Sequence, residues 1–379
     1  MKHSLLLSLL LAAATALPAQ TLKESIGRHF LIGAAVNTRQ VNGDEPKAVN
    51  ILQQQFNAVV AENCMKPENI EPHEGQFHWD DADKFVKFAL DNHLTPTGHV
   101  LVWHSQTAPW MFVNQHGELP NREQMIQRMH DYIFAVVGRY KGRILGWDVV
   151  NEAFNDDGTL RPSPWARAIG PDFIQLAFRF AHEADPNAEL YYNDYSMDKP
   201  GKRKAVVALI RQLRDAGLRI DAIGMQSHNG MNYPDIHEYE QTIQAIIATG
   251  VKVQFTELDF NVLPMPWNVQ GADVNQRGEN SSKMNPYPNK LPADVQKQQA
   301  DRIMDFFRLY KKYESHIRRV TLWGVTDGDS WLNGWPIPGR TNYPLLFDRK
   351  MKPKPVVKDI VRMFESPTPA RSAGVGLQM

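Results

Sequence analysis

The sequence predicts an α/β chain folded as a single-domain (β/α)8 TIM barrel. Three observations carry that expectation. Short apolar runs rich in Val, Ile and aromatic residues alternate with amphipathic segments along nearly the whole chain. The alternation amounts to eight strand–helix units, and polar residues collect where the apolar runs stop. Repeated units of this kind imply parallel strands with right-handed crossovers, and eight of them close economically into a barrel. A doubly wound open sheet is the alternative. The chain has 379 residues, 42% hydrophobic and 22% charged, enough for a barrel with a full core.

In chain order, strands are expected at 29–36, 56–62, 97–103, 144–150, 189–194, 222–227, 252–257 and 319–324, each an apolar run of the kind that is buried on both faces. Helical spacing appears between them. The segment 80–92 places Phe85, Phe88 and Ala89 on one face, and 121–141 opens with a capping pattern at Asn121 and carries Met125, Met129, Ile133 and Val136. Segments 173–184, 202–216, 236–249, 295–313 and 356–364 continue the pattern. One connection is abnormal. After the seventh strand, residues 264–292 hold five Pro, five Asn and Trp267 with little periodicity, and a connection that long is usually functional or mobile.

The ends of the chain read differently from its body. Lys2 and His3 precede an apolar run and then Ala16-Leu17-Pro18-Ala19, the layout of a signal peptide over 1–20, too short for a stable membrane anchor. The catalytic domain is expected over 21–365, followed by a disordered tail at 366–379. Lys plus Arg and Asp plus Glu both number 42, so net charge makes no case for nucleic acid or an anionic membrane. The one cysteine, Cys64, excludes an intrachain disulfide and a multi-Cys zinc site, and reads as a small buried hydrophobe.

Chemistry is expected at the strand ends. The fourth strand runs out in Asn151-Glu152 and the seventh in Glu257-Leu258-Asp259, three units later. Strands four and seven face each other across an eight-stranded mouth, so two carboxylates can flank one bond, which suits glycoside hydrolysis. At the sixth strand, alternation puts Gln226 and His228 on one face, while Glu257 and Asp259 share a face next door. His228 can then bond Glu257 while Asp259 holds the other ring nitrogen and keeps Glu257 ionised. Repulsion from Glu257 is expected to raise the pKa of Glu152, as a general acid requires. Glu62, Asn63, Lys66, His99, Trp103 and Gln106 add polar groups for sugar hydroxyls, and Trp103, Trp323 and Trp331 offer flat faces for pyranose rings. His99, His104 and His228 follow no zinc-ligand spacing, so no metal is expected, and the acids of Asp327-Gly-Asp329 argue against a phosphate site.

Seven segments in order resemble glycoside hydrolase family 10, the endo-β-1,4-xylanases: 56–68, 99–107, 147–153, Tyr192-Asn-Asp-Tyr195, Gln226-Ser-His228, Thr256-Glu-Leu-Asp259 and Trp323-Gly-Val-Thr-Asp327 with Trp331. The resemblance spans the mature chain. It implies a (β/α)8 barrel, retention of configuration, Glu152 as acid/base and Glu257 as nucleophile. It also implies that Asn151 contacts the 2-hydroxyl of the sugar at the cleavage site and that His228 and Asp259 orient the nucleophile. Glu62, Asn63, Lys66, His99, Trp103, Gln106, Gln226, Trp323 and Trp331 would line the site, with Tyr195 near it. Two departures stand out: the long 264–292 connection, and Leu332 where many members carry Arg.

The expectation is an exported, periplasmic or secreted, monomeric enzyme that needs no cofactor and cuts xylan internally. The rival within the class is a β-1,4-glycanase acting on cellulose or mixed-linkage glucan, with Trp331 the candidate for excluding the hydroxymethyl of glucose. A non-hydrolytic sugar-binding protein is the rival from outside it. A barrel isomerase or aldolase would want a metal or a Schiff-base lysine; Lys66 is the candidate, and Glu62 is expected to favour its charged form.

Overall fold

A computed structural model describes residues 21–365, so the expected signal peptide and tail lie outside the described residues. Eight parallel staves run β1 (Leu31–Val36), β2 (Ala58–Ala61), β3 (Thr95–Val102), β4 (Gly146–Asn151), β5 (Glu189–Asp194), β6 (Ala222–Met225, resumed at His228–Gly230), β7 (Lys252–Asn261) and β8 (Ile317–Leu322). Each pairs with the next, β8 pairs with β1, and the barrel is closed by eight staves rather than laid out as an open sheet. The expected strands and helices are present with ends shifted by a few residues.

The differences have physical causes. The helix Pro46–Gln55, which completes the first crossover, went unread because only Ala48, Ile51 and Leu52 are buried on it and its last three residues are Gln. β6 breaks at Gln226-Ser227, where Ser227 takes a φ of 67°. β7 runs on to Asn261 because its far end pairs with the resumed piece of β6, His228 opposite Asp259 and Gly230 opposite Asn261. The short helix Leu22–Ile26, held by a Thr21–Glu24 capping box, packs against the last helix, Val356–Glu365. No helix among the described residues is long and apolar enough to cross a membrane.

The barrel interior corrects the picture of strands that are apolar on both faces. Arg319 of β8 is fully buried, donating to Gln254 of β7 at 2.9 Å and Thr321 at 3.1 Å, and it stands 3.6 Å from Asp148 of β4. β8 and β4 lie on opposite sides of the ring, so that contact runs through the interior. Asp148 in turn meets Nδ1 of His99 at 3.0 Å. A buried column of ion pairing and hydrogen bonds therefore runs through the barrel as far as His99.

Close packing outside the column is equally specific. A Cβ at Gly98 would sit 2.0 Å from the Trp147 ring on the neighbouring strand. Gly98→Ala is therefore expected to destabilise the barrel by about 1–3 kcal/mol or more through overpacking. Urea unfolding would show this as a lower midpoint, and an unchanged midpoint would mean that Trp147 is free to move aside.

Candidate active site

The C-terminal ends of the staves supply a cavity of about 230 Å³. Strand alternation alone would turn Glu152 away from Asn151. Glu152 instead adopts a φ of 57°, in the left-handed region, which brings its carboxylate back to the mouth. There Gln226 Nε2 donates to Oε1 at 2.9 Å, Asn151 Nδ2 to the same oxygen at 3.3 Å, and Trp103 Nε1 to Oε2 at 2.9 Å. Across the cavity, Glu257 Oε2 meets His228 Nε2 at 3.1 Å, and His228 Nδ1 meets Asp259 at 2.9 Å. Trp331 Nε1 donates to the same Asp259 oxygen at 2.8 Å. Asn193 Nδ2 donates to Glu257 Oε1 at 2.9 Å.

Both carboxyls are buried, yet their titrations diverge. Burial pushes Glu152 up to about 7, and Asp194 adds repulsion that hydrogen bonds from Gln226 and Trp103 oppose. Glu257 contributes less than either, so the expected direction holds while its expected cause, repulsion by Glu257, is corrected to burial. Burial also pushes Glu257 upward, but the hydrogen bond and charge of His228, with help from His99 and Asn193, outweigh it and leave Glu257 below the usual carboxylate range. Burial works against charge on His228 too, and Asp259 with Glu257 overcomes it, raising the imidazole to about 10. At neutral pH this places a half-protonated acid opposite an ionised carboxylate held by an imidazolium.

All the expected residues except Asp259 and Tyr195 line the cavity. Asp259 lies behind His228. Tyr195 borders a neighbouring cavity instead, and its hydroxyl accepts from Arg161 at 2.7 Å. Lys66 donates to Asn63 at 2.9 Å and Gln106 at 2.7 Å. Burial is the larger effect and lowers its titration, while Glu257 and Glu62 both favour its charged form, as expected of Glu62. Glu62 itself is pushed up by burial. Trp323 stands edge-on to His99 at 5.6 Å, and Trp331 stacks on Trp335 at 4.4 Å. Cys64 is only half-buried, and its thiol is pushed up to about 12 by burial.

Several contributors went unread in the sequence. Asn193 bridges the two halves of the site, donating to Asn151 Oδ1 at 3.1 Å as well as to Glu257, and accepting from Thr256 at 2.6 Å. Its signal was the polar end of the Tyr192–Tyr195 segment. Arg161 donates from Nε to the Glu152 carbonyl at 3.0 Å, and Lys202 holds Asp194 at 2.9 Å. Ala272 and Val274, from the long connection after β7, also face the cavity, and no sequence pattern marks them.

If His228 is what keeps Glu257 ionised, His228→Ala should raise the Glu257 titration, followed by carbon-13 NMR of the labelled carboxyl. An unmoved titration would assign the effect to Asn193 and His99 instead.

Comparison with known proteins agrees with the geometry. The family model described as glycosyl hydrolase family 10 matches residues 21–363. Endo-1,4-beta-xylanase A of Xylanibacter ruminicola is 55% identical over 95% of this chain and 97% of its own length, and an endo-1,4-beta-xylanase of Geobacillus stearothermophilus is 38% identical over 90% and 98%. Among solved structures, a GH10 endoxylanase from a sugarcane soil metagenome superimposes with a TM-score of 0.87 at 44% identity, covering 90% of this chain and 99% of that one. Xylanase XynB of Paenibacillus barcinonensis, complexed with a conduramine derivative, gives 0.80 at 37% identity over 92% and 99%. With the barrel, the paired carboxyls and a family match over nearly every described residue in hand, the chain belongs to glycosyl hydrolase family 10.

Proposed function

We propose that this glycoside hydrolase is an endo-β-1,4-xylanase that cleaves internal xylosidic bonds with retention of configuration. The observation that carries the reading is the divergence of two buried carboxyls in one cavity, Glu152 raised to about 7 and Glu257 lowered. Glu152 donates its proton to the glycosidic oxygen as that C–O bond breaks, and Glu257 attacks C1 to form a glycosyl-enzyme. The ionised Glu152 then takes a proton from water, which attacks C1 and releases Glu257 as a carboxylate. His228 and Asp259 aim the nucleophile, Asn151 holds the 2-hydroxyl, and Asn63, Lys66, His99 and Gln106 bind hydroxyls on the glycone side and at the cleavage site.

The xylanase names of the relatives, at up to 55% identity over almost the full chain, support xylan over cellulose or mixed-linkage glucan. The leader-like first twenty residues support export to the periplasm or medium, and the protein is taken to act as a monomer without a cofactor.

Proton NMR of the anomeric signal during hydrolysis of a xylo-oligosaccharide tests the mechanism. The wild type should release the β-anomer first, and Glu257→Ala should lose activity on the order of 10⁴-fold or more. An α-anomer would make the reaction inverting and Glu257 a base. The pH profile follows from the same pair. Glu152 must be protonated for the first step, so kcat/KM should fall as pH rises through about 7. Glu257 must be ionised, so the acid limb should lie below the ordinary carboxylate range. An alkaline limb that stays put in Glu152→Gln, measured on a substrate with an activated leaving group, would remove Glu152 from that role.

A further inference from the structure

Glu152 keeps its left-handed backbone through three hydrogen bonds. Its own N–H donates to the Asn193 carbonyl at 2.9 Å, and its carbonyl accepts from Arg161 Nε at 3.0 Å. The third bond involves the next peptide, where the Ala153 N–H donates to the Tyr192 hydroxyl at 3.0 Å. A left-handed backbone at a residue other than glycine persists only where its surroundings hold it.

Strand alternation explains where Tyr192 stands. Asn193 points into the barrel mouth, where it meets Asn151 and Glu257, so Tyr192 and Asp194 turn to the outer side of β5. Both are fully buried there. The Tyr192 hydroxyl donates to Asp194 Oδ2 at 2.5 Å, which leaves its lone pairs for the Ala153 N–H. Asp194 Oδ1 accepts from Lys202 Nζ at 2.9 Å. Lys202 belongs to the helix Pro200–Asp215 and is also fully buried. It donates to the Tyr195 carbonyl at 3.0 Å and stands 3.3 Å from Asp156. A charge pair is thus enclosed between β5 and that helix, and it fixes which way the Tyr192 hydroxyl faces.

The pair also acts on Glu152 through its charge. Burial raises Glu152, and of the charges near it Asp194 adds most. Glu257 repels it less, Lys66 and Arg161 favour its charged form, and Tyr195 and Tyr192 are the other titratable groups that face it. Asp194 itself is raised by burial, against Lys202, Tyr192 and Arg161.

We infer that Tyr192, clamped by the buried Asp194–Lys202 pair, is a positioning residue for the acid/base. Its hydroxyl holds the peptide behind Glu152 and so aims the carboxyl at the glycosidic oxygen. Asp194 supplies the negative charge that favours the protonated acid. The inference rests on the xylanase reading above, in which Glu152 is that acid.

Leaving groups separate aim from structure. Xylohexaose needs a proton on its leaving oxygen, whereas the phenolate of a dinitrophenyl β-xylobioside departs without one. Tyr192→Phe keeps the ring and removes the hydroxyl. It should lower kcat/KM for xylohexaose about ten- to a hundredfold, part of what general acid catalysis supplies, and leave kcat/KM for the aryl substrate in place. On the aryl substrate kcat should fall together with KM, because release of the glycosyl-enzyme still needs Glu152 as base. Asp194→Asn keeps the size of the side chain and drops its charge, while Lys202 retains Asp156 as a partner. With that repulsion gone Glu152 gives up its proton more readily, so the alkaline limb of kcat/KM for xylohexaose should move down by about one pH unit. Equal losses on both substrates in Tyr192→Phe, or no loss on either, would overturn the positioning role. A limb that stays put in Asp194→Asn would overturn the part assigned to its charge. A wild type that cleaves neither substrate would overturn the xylanase reading as well.

Discussion

An imidazole clamped between two carboxylates governs the chemistry of this site. His228 meets Asp259 at 2.9 Å and Glu257 at 3.1 Å in surroundings that alone would strip its charge. The clamp holds the imidazolium, and the imidazolium holds Glu257 ionised against burial. Glu152 has no cation of that kind bonded to its carboxylate, only neutral donors from Gln226, Asn151 and Trp103, and burial therefore wins there. One buried volume thus contains a carboxyl raised by burial and a carboxylate kept ionised, and the charged partner His228 is the largest difference between them.

The clamp depends on the way the barrel closes. Glu257 and Asp259 lie on β7, and His228 comes from the resumed piece of β6 that pairs with it. The break at Ser227 and the left-handed backbone at Glu152 are two of the points where the chain leaves regular strand geometry, next to His228 in one case and at the carboxyl itself in the other. Beneath the site, the interior column from Arg319 through Asp148 to His99 fills the barrel with paired charge. Asn193 joins the two carboxylate neighbourhoods from above that column, through Asn151 on one side and Glu257 on the other.

The connection after β7 changes the shape of this arrangement on one side. Its fastening to Ser105 and its approach to Arg161 carry it across the mouth, and Ala272 forms part of both cavities. The rim on that side is accordingly built from residues that lie outside the strand ends. Arg161 stands where the two systems touch, bonded to the Glu152 carbonyl and the Tyr195 hydroxyl while facing Asp273.

Barrel, strand order and most of the cavity lining were legible because they follow from period. Apolar runs name the staves, and polar residues at their ends name the mouth, so Glu152, Glu257, His228 and Asp259 could be found by position. Direction of titration was partly legible as well, since the His228 clamp follows from alternation on adjacent strands. What only the tertiary structure decided were quantities that depend on burial and on contacts between distant segments. Burial, rather than repulsion by Glu257, raises Glu152, and burial outweighs Glu62 at Lys66. Asn193 as a bridge, the charged barrel interior and the reach of the 264–292 connection to Ser105 have no local pattern, because each joins residues far apart in the sequence. Period encodes which face a side chain takes, whereas solvent exclusion and long-range partners exist only once the ring has closed.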